Sequence, residues 1–398
     1  MTTTSTSTSF LDIDTLRGRR NMKWGRFPAD VLPAWIADMD LGTAPAVQDA
    51  MRTLVERQDY GYPIRDGDRA DLVVARAFAE RMEARFGWCP DPDLAQPVAD
   101  LVQAVFGAIM AYTEPGDGVV LHTPAYPPFF EAIGDTGRRL EANPLRDTGA
   151  RYELDLDGLA AAAERSRLLL LCHPQNPTGR VFGADELTRI AAIAIEHDLV
   201  VVSDEIHADL VHDGRRFLPT ALAAPEIADR TVTLTSATKS FNIPGLRTAV
   251  AHFGSAALRD RFLARLPRRL LGAVGSPGID ATVAAWRHGQ PWLDDVLAKL
   301  AASRDRLTEH LERDLPEVGY HAPEATYLAW LDLAPLDLPE TPQRFLLERA
   351  RVGLNPGGDF GPEYDQFVRL NFATSPDILD EMVARIVPAV RAVRSART

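Results

Sequence analysis

Four short runs of apolar residues, each ending in a chemically able side chain, constrain this chain more than any other feature. They are GVVLHTP (118–124), RLLLLCHP (167–174), DLVVVSDE (198–205) and TVTLTSATK (231–239). A strand with one wet face alternates apolar and polar residues, whereas a strand covered on both faces reads as an unbroken apolar run. Between the second and third runs lies DELTRIAAIAIEHD (185–198), where Leu187, Ile190, Ala191 and Ala194 recur at helical spacing. Strands of this kind joined by helices imply an α/β fold, a mainly parallel sheet with helices on both faces. Ligands of such sheets bind beyond the carboxyl ends of the strands, so the residues that follow each run carry the functional information.

After the first run comes Tyr126, after the second Asn176, after the third Asp204, and after the fourth Ser236 and Lys239. Lys239 sits in SATKSFNIPGLR, with no further charged residue until Arg247. An amine in such surroundings loses its proton more easily than a surface lysine and is then a nucleophile toward carbonyls. Each residue alone has an ordinary explanation: a loop aromatic, a turn residue before Pro177, a helix cap, a half-buried lysine. The set as a whole matches what pyridoxal 5′-phosphate (PLP) needs. Its aldehyde condenses with a lysine amine, which points to Lys239. Its pyridine nitrogen stays protonated beside a buried carboxylate, which points to Asp204. Asn176 would donate to the ring oxygen and Tyr126 would stack on the ring face. Ser236 and Arg247 would serve the phosphate.

Length and charge narrow the partners. The 398 residues leave room for one large α/β domain and a smaller one. With 43 basic and 56 acidic residues the net charge is −13, which argues against nucleic acid and anionic membranes as partners. Two cysteines, Cys89 and Cys172, provide no disulfide framework. The opening MTTTSTSTS reads as a disordered polar tail rather than a secretory signal. No apolar run approaches the roughly 20 residues of a membrane span. A cytoplasmic protein is the expectation, and no metal site is expected. WRHGQPW (286–292) reads as a domain edge. Beyond it a long helical pattern leads to TYLAWLDL and FVRLNFA, two strands of a second layer.

SDEIHADL, HPQNPTGRV and SATKSFNIPGL resemble the fold-type-I PLP enzymes, the aspartate aminotransferase superfamily. With NMKWGRFPADVLPAWIADMDLGTAP, YGYP, VVLHTPAYPPFFEAI, ATYLAWLDL and FVRLNFA, the chain is most similar to the cystathionine β-lyase (C–S lyase) group of the maltose-regulator and PatB type. The resemblance runs from about residue 20 to the C-terminus. It implies a large PLP-binding domain over 46–287 with a mainly parallel seven-stranded sheet, a small α+β domain over 288–398, and an arm over 1–45 packed on the small domain and a partner subunit. It gives Lys239 the Schiff base and Asp204 the pyridine nitrogen. It makes Arg369 the grip on the substrate α-carboxylate and brings Trp24 and Asp38 to the substrate, beside Asn176 and Tyr126. Tyr62, in YGYP, would reach the phosphate of the neighbouring subunit's cofactor, which makes a homodimer with shared sites the working unit. Backbone N–H groups around Val102 and Gln103 would hold the phosphate.

The implied activity is β-elimination from a cysteine-derived amino acid, giving a thiol, pyruvate and ammonia. The runner-up is an aminotransferase, or an oxidative or decarboxylative deaminase, on the same scaffold; a PLP-binding regulatory protein ranks third. Three positions depart from or qualify the pattern. Arg247 is common among aminotransferases and often absent from the lyases. His207 follows the lyase pattern DEIH, and its plainest reading is a buried histidine near Asp204. Asp100 brings a carboxylate close to a dianion where the turn is usually richer in glycine or small residues. It either points away from the cup or marks an altered one, and the first is the expectation.

Overall fold

The structure is a computed structural model that describes residues 8–395. Residues 1–7 of the expected polar tail lie outside the described residues. Thr8 departs from that expectation, because it is buried and its N–H donates to Asp295 Oδ2 at 2.8 Å. Chain contacts divide the molecule into two units. One takes Thr43–Gln175 and Arg180–Leu293, and the other takes the stretch through Gly42, Asn176–Gly179, and the chain from Asp294 onward.

The apolar runs form the middle of the first unit's sheet. Its strands are β1 (Ala95–Val98), β2 (Gly118–Thr123), β3 (Arg139–Pro144), β4 (Ser166–Cys172), β5 (Val200–Asp204), β6 (Thr231–Thr235) and β7 (Ala249–Phe253). They lie in the order β1-β7-β6-β5-β4-β2-β3. All neighbouring pairs from β6 through β3 are parallel, and β7 runs antiparallel to both β6 and β1. Leu168, Leu169, Leu170 and Leu171 are all 0% exposed, so successive residues are covered on both faces. Each such leucine contributes roughly 1.5–3 kcal/mol by burial. Helix Ala184–Glu196 forms where the 3.6-residue spacing placed it, and buries Leu187, Ile190, Ala191 and Ala194. Helix Leu101–Tyr112 buries Ala104, Val105, Ala108 and Ile109 in the same core as the strand residues Val119, Leu121, Leu168, Leu170 and Val232.

The second unit carries a small antiparallel sheet of β8 (Gly319–Tyr320), β9 (Leu328–Asp332), β10 (Asn355–Pro356) and β11 (Phe367–Asn371), ordered β8-β9-β11-β10. Within it Trp330 pairs with Arg369. The N-terminal stretch belongs to this unit. It is built from two short helices, Ile13–Arg17 capped by Asp12 and Met22–Gly25 capped by Asn21. The two-residue strand Leu32–Pro33 then pairs in parallel with Val352–Gly353. Lys23, 0% exposed, ties the stretch together through Asp40 Oδ2 at 2.8 Å. Asn371 Nδ2 donates to the carbonyls of Ile36 and Asp38, both at 2.7 Å. From sequence, Trp24 and Trp35 look too apolar to lie free in water, and docking onto a second chain is the expected cover. In fact Trp35 is buried, with its indole N–H donating to the Lys23 carbonyl at 3.3 Å, and the Trp24 indole N–H donates to Asp40 Oδ1 at 2.8 Å. Among the described residues no helix is long and apolar enough to cross a membrane.

Candidate active site

Lys239 follows β6 on a very short helix, Ala237–Ser240. Ser236 makes the turn: its backbone is extended and its Oγ accepts the N–H of Thr238 at 3.1 Å, a side-chain N-cap. Asp204 closes the adjacent strand, in register with Leu234 of β6 and Cys172 of β4. Its Oδ1 accepts the N–H of Ile206 at 3.0 Å. Burial pushes the Asp204 carboxyl up to about 7, against the Ile206 hydrogen bond and the positive charge of Lys239, which favour the ionised form. Tyr126 follows β2 as the N-cap residue of helix Pro127–Asp135, with its ring 5.5 Å from Phe129 and perpendicular to it. Since β2, β4, β5 and β6 are consecutive in the sheet, the first unit places an aromatic ring, a carboxylate and an amine along one strand-end edge.

Asn176 and Arg369 meet in the second unit. Arg369, on β11, is buried, and its guanidinium is held by neutral oxygens: Asn176 Oδ1 at 3.1 Å, Asn355 Oδ1 at 2.7 Å and the Trp35 carbonyl at 3.1 Å. The guanidinium carbon also lies 4.8 Å from the Phe360 ring centroid. Because Asn176 Oδ1 accepts from Arg369, its amide NH₂ is the end that remains for donation elsewhere. Gly179, which ends this segment, has φ +72°, and a Cβ there would lie 2.3 Å from Pro323 Cβ. Glycine is therefore required at that turn by conformation and by space.

The expected phosphate residues show one correction. Asp100 does not point away: it caps helix Leu101–Tyr112, with Oδ1 accepting from Val102 N–H at 2.7 Å and Gln103 N–H at 3.3 Å. Its Oδ2 pairs with Arg247 at 2.8 Å. Ser236 Oγ donates to the Thr248 carbonyl at 2.5 Å. Tyr62 is fully exposed, and His207 is buried three residues past Asp204. Asp38 offers its carbonyl to Lys23 and Asn371.

Sequence reasoning missed three participants. Asn355 and Phe360 frame Arg369, and only the fold brings LNPGGDF beside FVRLN. Glu205 is buried beside Asp204, with Oε1 accepting from Ser203 Oγ and Thr220 N–H, both at 2.9 Å, and burial pushes its carboxyl up to about 7. Its signal was present in SDEIH, where a second carboxylate follows an apolar strand.

The donor set fits PLP. Burial disfavours the ionised form of Asp204, and a protonated ring nitrogen would restore it. An amine stands at the end of the next strand and an aromatic ring at the same edge.

Comparison with known proteins agrees. Residues 90–386 match the family model for aminotransferase class I and II. Cystathionine β-lyase of Corynebacterium glutamicum is 34% identical, covering 95% of this chain and 98% of that protein. Cystathionine β-lyase PatB of Bacillus subtilis is 32% identical over 94% and 97%. The PLP-bound C–S lyase from Staphylococcus hominis superposes with a TM-score of 0.89 at 27% identity, covering 96% of this chain and 98% of that one. The chain belongs to the aminotransferase class I and II family, in the group that contains the cystathionine β-lyases.

Proposed function

We propose that this chain is a PLP-dependent C–S β-lyase that splits a cysteine-derived thioether amino acid into a thiol, pyruvate and ammonia. The observation that carries the reading is the placement of a buried Asp204 at the end of β5 and of Lys239 on the short helix after its register-matched parallel neighbour β6, with the lysine's charge acting on the Asp204 carboxyl. PLP, when bound, supplies an aldehyde that holds the substrate amine and a ring that withdraws electrons from Cα. Asp204 holds a proton at the ring nitrogen, the role for which its burial suits it. Tyr126 would cover the ring face, and the Asn176 amide would donate to the ring oxygen. Arg369, kept rigid by Asn176, Asn355 and Trp35, fixes the substrate carboxylate through a two-pronged contact. Lys239, once its amine is free, takes the Cα proton. The proton that Lys239 has taken can pass to the departing sulfur, which leaves as a thiol as the Cβ–S bond breaks, and water completes the conversion of the remaining three-carbon unit to pyruvate and ammonia.

The working unit in this reading is a homodimer in the cytoplasm, with Tyr62 contributed to the neighbour's cofactor. Support comes from exposed apolar side chains close to that residue in sequence: Val55, Tyr60, Tyr62 and Ile64 are 61%, 64%, 105% and 67% exposed. Apolar side chains this exposed are costly to leave in water. Trp24 and Asp38 are assigned to the substrate side, and His207 to the surroundings of Asp204.

An aminotransferase remains the competing activity, favoured by Arg247. The two are separated by supplying cystathionine without any keto acid and measuring pyruvate. The lyase releases it continuously. A transaminase would instead release no pyruvate and would stop after one equivalent of the substrate's own keto acid per cofactor.

A further inference from the structure

The expected phosphate cup already holds an anion of the chain's own. Asp100 Oδ1 takes the N–H groups of Val102 and Gln103, at 2.7 and 3.3 Å, and Oδ2 takes the Arg247 guanidinium at 2.8 Å. Arg247 reaches it from a left-handed backbone conformation, φ 47° and ψ 65°, which a non-glycine residue holds only when its surroundings impose it. The hydroxyl of Ser236 is also engaged, with the Thr248 carbonyl. Val102 N–H, Gln103 N–H, one guanidinium nitrogen of the exposed Arg247 and the Ser236 hydroxyl therefore each have an acceptor within the chain.

We propose that Asp100 is a resident anion that competes with the cofactor's phosphate for Val102 N–H, Gln103 N–H and Arg247, and so sets how readily the chain gives up its cofactor. The inference rests on the PLP reading above. A carboxylate and a phosphate dianion repel each other, and they cannot both accept the same two N–H groups in full. Phosphate entry turns Asp100 off the cap and away from Arg247. Its return satisfies the helix end and the guanidinium again as the cofactor leaves. Without a cofactor the helix terminus is thus capped and its partial positive charge neutralised. The ligand class that competes is narrow: phosphate monoesters and inorganic phosphate.

The test compares the wild-type full chain with Asp100→Asn and Asp100→Ser, both of which keep an N-cap oxygen while removing the charge. Loss of bound PLP from each holoenzyme is followed by its visible absorption during dialysis against cofactor-free buffer. Thermal shifts of the cofactor-free proteins with inorganic phosphate, and binding of pyridoxal without its phosphate, are measured alongside. We expect both variants to retain PLP about tenfold longer or more, the change that one lost like-charge contact of this kind produces. Inorganic phosphate should raise the melting temperature of the variants more than that of wild type, and pyridoxal binding should not change. Release as fast as wild type in both variants, or a gain for pyridoxal equal to that for PLP, overturns the proposal. If Asp100→Asn does not fold, Asp100→Ser carries the same comparison. A wild-type chain that binds no PLP at all would overturn the function itself, a result distinct from unaltered retention.

Discussion

Lys23 and Lys239 each stand near an aspartate that the chain buries, Asp40 in one case and Asp204 in the other, and their surroundings differ. Lys23 Nζ lies 2.8 Å from Asp40 Oδ2 and 3.1 Å from the Asp38 carbonyl, and Trp24 Nε1 fills Asp40 Oδ1 at 2.8 Å. Both side chains of that pair are 1% exposed. The charges cancel in contact, and both carboxylate oxygens have donors. Asp204 takes its hydrogen bond from a backbone N–H, and burial outweighs the pull of Lys239, so its carboxyl rises to about 7. A buried pair with its charges matched holds chain segments together. A buried carboxylate whose charged form is disfavoured is prepared to receive a cation, and such groups concentrate at functional sites. The contrast is sharper because the chain has only three lysines, Lys23, Lys239 and Lys299.

The strongest way to break this contrast is to remove each buried lysine in turn. Lys239→Ala should lower turnover by about 10³-fold or more while leaving the fold intact, because it deletes both the nucleophile and the proton carrier. Borohydride reduction of the wild-type holoenzyme followed by peptide mapping should place the label at Lys239 and at neither other lysine. Lys23→Ala should do the reverse: it leaves Asp40 buried without its counter-ion and should cost about 3–5 kcal/mol in urea unfolding. A Lys23→Ala protein of wild-type stability, or a Lys239→Ala protein of wild-type turnover, would erase the distinction.

Asp204 sharpens it through pH. Its folded-state pKa of about 7 lies above the ordinary 3.8, so the folded chain holds that proton more tightly than the unfolded chain does. Stability contributed by this group is therefore full at low pH and is lost as pH rises from about 4 to about 7, after which the penalty stays constant. Asp204→Asn removes the penalty. In cofactor-free protein it should gain roughly 2–4 kcal/mol at pH 8 and little near pH 4, read as the urea midpoint at each pH. The same substitution should depress turnover, since a neutral amide does not hold a proton on the ring nitrogen. A loss of stability at pH 8 would mean that Asp204 is a cap rather than a poised acid.

The two regions were also unequally legible in the sequence. The strand-end edge could be read because continuous apolar runs mark buried parallel strands and the chemistry follows each one directly. β1, β3 and β7 were not singled out: AQPV, RLEANP and AVAHF are too short or too mixed to stand apart from their neighbours. The N-terminal stretch carried no periodic signal, since contacts over long sequence separation order it. Asn371 reaches Ile36 and Asp38 more than 330 positions away, and Tyr327 Oη donates to the Ala37 carbonyl at 3.0 Å. Trp35 looked like a residue awaiting a second chain for the same reason. At Asp100 the residue type was noticed and its direction misjudged, because an Asp that caps a helix and an Asp that faces water read alike until the helix start is placed.

Lys299 provides the smallest effect and the control for the other two. It sits one helical turn from Asp295, with Nζ 3.6 Å from Oδ1, and the two side chains are 29% and 37% exposed. A pair this open is screened by solvent and typically worth no more than about 0.5 kcal/mol. Asp295 would keep the Thr8 N–H on its other oxygen, at 2.8 Å, after the lysine is gone. Lys299→Ala should thus shift the urea midpoint by an amount close to measurement error, and added salt should shrink the difference further. Turnover should match wild type. If instead this substitution cost as much as Lys23→Ala, proximity to an aspartate rather than burial of the pair would govern stability here, and the contrast between the two buried lysines would lose its physical basis.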